Sequence, residues 1–135
     1  KYVLKDEKEK LKNNNSRAIL NFGHTFGHAL EAYYKYNKKL THGEAISIGM
    51  IVAGTLSYKL KYLPLDQLNK IKKHFKLNKL RMTDKKMFDQ KIFKIIEKDK
   101  KNINGKINFI LLKKIGSAFL RNNLSLDKIK KILIK

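Results

Sequence analysis

The sequence predicts a mainly α fold, a multi-helix domain of five or six helices with one small β-hairpin, and three observations carry that expectation. Residues 45–60, AISIGMIVAGTLSYKL, are apolar almost all round, as in a helix buried at the centre of an α-helical domain. Residues 65–75 and 87–101 place apolar side chains at helical spacing, with Leu65, Leu68, Ile71 and Phe75 in the first and Phe88, Ile92, Ile95 and Ile96 in the second. Only residues 106–120 alternate with a period of two, through Ile107, Phe109 and Leu111, with a hairpin turn at 113–116.

Taken in order, residues 1–12 set Val3, Leu4 and Leu11 among charges and read as the end of a helix that begins upstream. Asn13, Asn14, Asn15 and Ser16 break it, because their side chains compete for backbone hydrogen bonds. From Arg17 the pattern turns helical, interrupted by Gly23 and Gly27, each followed directly by a histidine. Glycines four apart leave a bare strip on one helix face, suited to close packing of a neighbour and also to room for a ligand. Residues 33–40 form a polar, aromatic-bearing exit. Thr41 and Glu44 then open the central helix with capping-box spacing. Gly49 and Gly54 fit close crossings along it. The lone proline, Pro64, starts the amphipathic helix that follows. A polar linker at 78–84, a turn at 102–105 and a final amphipathic helix capped by Ser125 and running to Ile134 complete the pattern.

At 135 residues the chain is long enough to bury a core and is expected to be a single α-helical domain over 1–135. It opens on Lys1 rather than Met and carries neither a signal-peptide pattern nor an apolar run near the ~18 residues of a membrane span. The expectation is a soluble piece of a longer protein with no membrane partner. With no cysteine, disulfides and thiolate metal sites are excluded within these residues, so a metal here must use imidazole and carboxylate. The formal charge of +21 invites a nucleic-acid reading. Of the 32 basic residues, however, only Arg17, Arg81 and Arg121 are arginine, whereas bidentate recognition of bases and phosphates favours guanidinium. Diffuse lysine on solvated faces predicts weak, salt-sensitive contact with polyanions and no specific nucleic-acid partner.

Residues 17–44 hold three of the four histidines. The fourth, His74, lies between lysines and reads as surface. His24 and His28 stand four apart, so on a continuous helix their imidazoles share a face at the spacing zinc helices use. His42, at the start of the central helix, can face the same wall. Three imidazoles converging in an apolar domain are costly to bury without a role. A divalent metal of the zinc type suits imidazole nitrogen. Arg17 and Asn21, four apart and one turn earlier, would bring a cation and an amide to the same face. Such a set fits a hydroxylated, anionic small molecule.

The order Asn21-Phe22-Gly23-His24-Thr25-Phe26-Gly27-His28-Ala29-Leu30-Glu31, then His42-Gly43-Glu44-Ala45 with Gly49-Met50 a turn further on, resembles the signature of 3-dehydroquinate synthases. Asp6-Glu7-Lys8-Glu9, Asp99-Lys100-Lys101 with Gly105, and the hairpin at 109–116 extend the resemblance to the C-terminal, metal-binding domain of that family. The resemblance implies an NAD- and metal-dependent cyclase that converts 3-deoxy-arabino-heptulosonate 7-phosphate, a phosphorylated sugar acid, to 3-dehydroquinate in the shikimate pathway. The implied steps are transient oxidation, loss of phosphate, re-reduction and aldol closure. It further implies His24 and His42 as ligands of zinc or cobalt, and His28 as a catalytic histidine that contacts substrate and moves protons. Arg17 and Asn21 fall on substrate-binding positions, one lysine of the Lys100-Lys101 pair on an anion contact, and Glu9 on an active-site carboxylate. Helix spacing alone pairs His24 with His28; the resemblance pairs His24 with His42.

Two departures accompany this resemblance. Residues 10–16 are longer than the corresponding link in the family and lack its glycine, and the loop between His28 and His42 is slightly extended. The family's N-terminal domain, which holds NAD and supplies a glutamate as third metal ligand, has no counterpart in these 135 residues. Partnership with that domain, a homodimer at full length and a cytoplasmic location are what the resemblance implies. Another sugar-phosphate cyclase, a non-catalytic remnant and a basic helical binding module are the competing readings.

Overall fold

In the computed structural model, residues 21–35, 39–100 and 106–134 are described. They form five helices, α1 (His24–Tyr33), α2 (His42–Lys59), α3 (Leu65–Leu77), α4 (Gln90–Lys100) and α5 (Leu126–Ile134), and a two-stranded antiparallel sheet of β1 (Lys106–Lys114) and β2 (Ser117–Ser125). The expected elements at 1–12, 13–16 and 102–105, together with Glu9, Arg17 and Lys101, lie outside the described residues.

The central helix is the one the composition demanded. Ala45, Ile48, Val52, Ala53 and Leu56 of α2 are buried, and α1, α4, α5 and the sheet surround them with Phe26, Leu30, Ile92, Ile96, Phe109, Leu111 and Ile129. Thr41 caps α2 as its spacing predicts: its hydroxyl accepts from the Glu44 N–H at 3.1 Å, and Glu44 Oε1 accepts from the Thr41 N–H at 3.0 Å. Hydrogen bonding to the carboxyl from the Thr41 N–H first, and then from the Thr41 side chain, holds Glu44 below its ordinary range, with the Arg81 guanidinium assisting. Ser57, fully buried, links α2 to the sheet by donating to the Ala53 carbonyl at 2.8 Å and accepting from the Leu112 N–H at 3.0 Å.

The start of α1 differs from the sequence reading. The helix does not run through from Asn21; residues 21–23 turn, and Gly23 takes φ 84° as the N-cap, so α1 begins at His24. Gly27, by contrast, sits within the helix without interrupting it. The bare strip is closed by packing. A Cβ added at Gly27 would lie 3.0 Å from the Ala45 carbonyl oxygen, one at Gly23 2.6 Å from Met50 N, and one at Gly49 2.1 Å from the Gly23 carbonyl oxygen. Helices α1 and α2 therefore cross at backbone contact.

Two expected core residues point outward. Leu65, in the first turn of α3, is 49% exposed, and Phe88 is 45% exposed because residues 85–89 form turns and α4 starts only at Gln90. Met87 is buried there instead. The hairpin is longer than its sequence signal. β2 continues through the polar Arg121-Asn122-Asn123 because one extra residue bulges between the Ile107–Leu124 and Phe109–Arg121 pairs. Asn123 takes φ 58° there, and its N–H donates to Asn108 Oδ1 at 3.0 Å. Ser125 accepts from the Lys128 N–H at 3.4 Å at the start of α5. Among the described residues, no helix is long and apolar enough to cross a membrane.

Candidate metal and substrate site

The close crossing of α1 and α2 brings the histidines together. His24 is the first residue of α1 and His28 lies one turn on, so the two imidazoles share a face with ring centroids 5.1 Å apart. His42 is the first residue of α2, and its ring lies 6.3 Å from that of His24 and 6.1 Å from that of His28. All three sequence-predicted histidines thus meet. Ligands sharing a zinc through bonds of about 2 Å bring ring centres to roughly 5–6 Å, so these separations alone do not choose between the two pairings.

Hydrogen bonding adds information. His42 Nδ1 lies 3.0 Å from Glu31 Oε1, a contact that suits the imidazole tautomer with the proton on Nδ1 and the lone pair on Nε2. His24 Nδ1 faces the Phe22 carbonyl oxygen at 3.4 Å, a longer contact with the same polarity. Metal-ligating histidines characteristically tie the other ring nitrogen to a carboxylate or a backbone carbonyl, and both residues fit that pattern. Among the described residues, no three His, Asp or Glu side chains form a complete metal-binding set.

Burial departs from the sequence argument. His24 and His28 are half-buried, but the His42 side chain is 62% exposed, so the cost of burying an imidazole does not apply to it. Among the described residues the site forms a ledge at the edge of the core. Asn21 lies exposed in the turn just ahead of His24, and Lys100 is the last residue of α4.

The sequence reading missed Glu31. It stands seven residues after His24 and three after His28, on the same helical face, and that spacing is the signal that could have found it. A second cluster fixes the start of α2 from behind. Asp84, whose side chain is 4% exposed, accepts from the Tyr34 hydroxyl at 2.9 Å and from Arg81 at 3.0 Å, while Arg81 also faces Glu44 at 3.5 Å. Partial burial, and then this bond to Asp84, raises the Tyr34 hydroxyl above its ordinary pKa. Ser47 in turn donates to the Arg81 carbonyl oxygen.

Residues 1–102 match the family described as 3-dehydroquinate synthase C-terminal. The chain is 40% identical over 131 residues to the 3-dehydroquinate synthase of Endomicrobium trichonymphae, covering 95% of this chain and 35% of that protein. It is 38% identical over 131 residues to that of Psychrobacter arcticus, covering 97% of this chain and 32% of that protein. The chain therefore spans about a third of the length of these relatives. Among solved structures, 2-epi-5-epi-valiolone synthase from Streptomyces hygroscopicus subsp. jinggangensis, with NAD+ and Zn2+ bound, superposes with a TM-score of 0.71 at 23% identity, over 85% of this chain and 31% of that one. This likeness bears on the fold. A 2-deoxy-scyllo-inosose synthase complexed with carbaglucose-6-phosphate, NAD+ and Co2+ gives 0.65 at 26% identity, over 86% of this chain and 33% of that one. With the signature at 21–50, the converging histidines and these matches in agreement, the chain belongs to the 3-dehydroquinate synthase family and corresponds to its C-terminal domain.

Proposed function

We propose that this chain is the metal- and substrate-binding part of an enzyme that cyclises 3-deoxy-arabino-heptulosonate 7-phosphate to 3-dehydroquinate with loss of phosphate. The observation that supports it most is the meeting of His24, His28 and His42 at the α1–α2 crossing of a domain from this family. His24 and His42 would hold a divalent metal, zinc or cobalt, and the third protein ligand would come from outside the described residues. When bound, the metal would supply Lewis-acid polarisation of substrate oxygens, and NAD, which would be held mainly by an N-terminal domain, would supply hydride-transfer chemistry.

The chain's own side chains do the rest. His28 faces the bound substrate beside the metal pair and carries protons, the work a neutral imidazole performs near pH 7. Arg17 pairs with the substrate carboxylate, Asn21 hydrogen-bonds its hydroxyls, and Lys100 or Lys101 attracts its phosphate, with Glu9 as a further polar contact. Another sugar-phosphate cyclase is the second reading, favoured by the solved structures above. The dehydroquinate reading draws on the curated relatives at 38–40% identity and on a guanidinium–amide pair suited to a carboxylate-bearing substrate.

Zinc titration separates the two ligand pairings. His24→Ala and His42→Ala should each abolish binding, which is weak in this chain because two imidazoles are fewer than the three protein ligands of a catalytic zinc site, while His28→Ala should bind as before. Equal loss in all three variants would instead support ligation from one helix face.

A further inference from the structure

The Glu31–His42 contact joins two elements, and neither residue could make it from its own helix. Glu31 is set near the end of α1 with its side chain 12% exposed, so the helix and its surroundings hold the carboxylate in place. His42 opens α2 with its side chain 62% exposed, where an unrestrained imidazole would sample several rotamers and both tautomers. The 3.0 Å contact between Glu31 Oε1 and His42 Nδ1 removes that freedom.

We propose that Glu31 is a positioning residue: its carboxylate fixes the tautomer and orientation of His42, so that Nε2 faces His24 as a ready metal ligand. The inference rests on the metal reading of His24 and His42. Its physical content is preorganisation. His24 makes the longer contact of its ring nitrogen with the Phe22 carbonyl, and it is part-buried within the crossing. His42 is the ligand with most freedom to lose, and an ionised acceptor at 3.0 Å restrains it more strongly than a neutral one would. Carboxylate–imidazole pairs of this kind also raise the basicity of the ligating nitrogen. Nothing in the spacing of the three histidines requires this. It follows from where the chain, returning from α1, sets down the first residue of α2.

Two measurements on the 135-residue chain test the inference. The first is long-range 1H–15N correlation of the histidine rings in metal-free protein, above the pH at which imidazoles titrate. The second is affinity for the zinc ion alone, read by competition with a chromophoric chelator. In the unsubstituted chain His42 should be held as the Nδ1–H tautomer. Glu31→Ala should shift it towards Nε2–H and weaken zinc by about 10–100-fold. Glu31→Gln, which keeps the size and an acceptor oxygen but not the charge, should fall between the two in both readouts, and its fold is the less exposed to damage. A His42 tautomer indifferent to both substitutions, or zinc affinity unchanged in both, overturns the positioning role while His24→Ala and His42→Ala still abolish binding. Zinc binding indifferent to His24→Ala and His42→Ala overturns the metal reading, and this inference with it, even where the tautomer responds to Glu31.

Discussion

Gly49 sits where two backbones touch, and the meeting of the three histidines depends on that contact. An added Cβ would lie 2.1 Å from the Gly23 carbonyl oxygen and 2.7 Å from the Gly27 N, and neither atom can swing aside as the end of a side chain can. Alanine favours a helix interior by about 1 kcal/mol over glycine, but overpacking against backbone costs about 1–3 kcal/mol or more, so the clash wins. Gly49→Ala should therefore lower the stability to urea, and by moving Gly23 it should disturb the ring signals of His24. Gly54 provides the contrast. Its nearest neighbour would be Leu68 Cδ1 at 3.4 Å, an ordinary contact with a movable methyl, so Gly54→Ala should be neutral or gain up to about 1 kcal/mol. Equal losses at both positions would contradict the close crossing. At this scale the sequence was informative about residue types: three imidazoles and paired glycines marked the site. Spacing put Glu31 on the histidine face, but its pairing with His42 was not legible, because a carboxylate on a helix reads as a solvated charge until the return path of the next helix is known.

The start of α2 is the element that presents His42, and it is held by the Thr41–Glu44 capping box with the Arg81–Asp84–Tyr34 cluster behind it. Removing the Thr41 hydroxyl leaves a helix N–H without its partner, so Thr41→Ala should cost about 1 kcal/mol and Thr41→Ser much less. Acid should act on the same element. The Glu44 carboxyl is held below its ordinary value, so the stability it contributes is fully present above that value and is lost as pH falls through the depressed one. Urea midpoints measured from neutral pH downward should fall for the unsubstituted chain, with a shallower fall for Glu44→Gln; parallel curves would place the acid sensitivity elsewhere. Elements of this kind were legible because caps and periodicity are local chemistry. What local chemistry could not give was the facing of short pieces. Leu65 occupies a first turn and stays half-exposed, and Phe88 falls on turns ahead of α4, so each kept helical spacing in the sequence without reaching the core. The polar end of β2 was hidden for a related reason: a bulge at Asn123 continues a strand that alternation alone would have ended.

At the scale of the whole molecule, the proposed function implies a divided site. The chain covers about a third of its relatives, and its 135 residues contain no Gly-x-Gly-x-x-Gly turn of the kind that seats a dinucleotide. The described residues bring two candidate ligands and a third imidazole together, with the His42 side chain largely open to water. Oxidation and re-reduction need NAD held against the substrate, and a catalytic metal needs a fixed shell that two histidines do not complete. The 135-residue chain alone should therefore release no phosphate from the heptulosonate phosphate. Joined to the N-terminal part of a relative such as the Endomicrobium trichonymphae enzyme, it should do so in an NAD-dependent manner. In that joined protein His24→Ala and His42→Ala should abolish activity with loss of metal. Arg17→Ala should mainly raise KM, and His28→Ala should lower kcat while metal stays bound, since a positioned proton carrier contributes about 10²–10⁴-fold. Phosphate release assayed with and without NAD is the measurement. Release by the isolated chain without NAD would mean that its histidines perform a different reaction, because a hydrolysis at this ledge needs neither the oxidation nor the second domain.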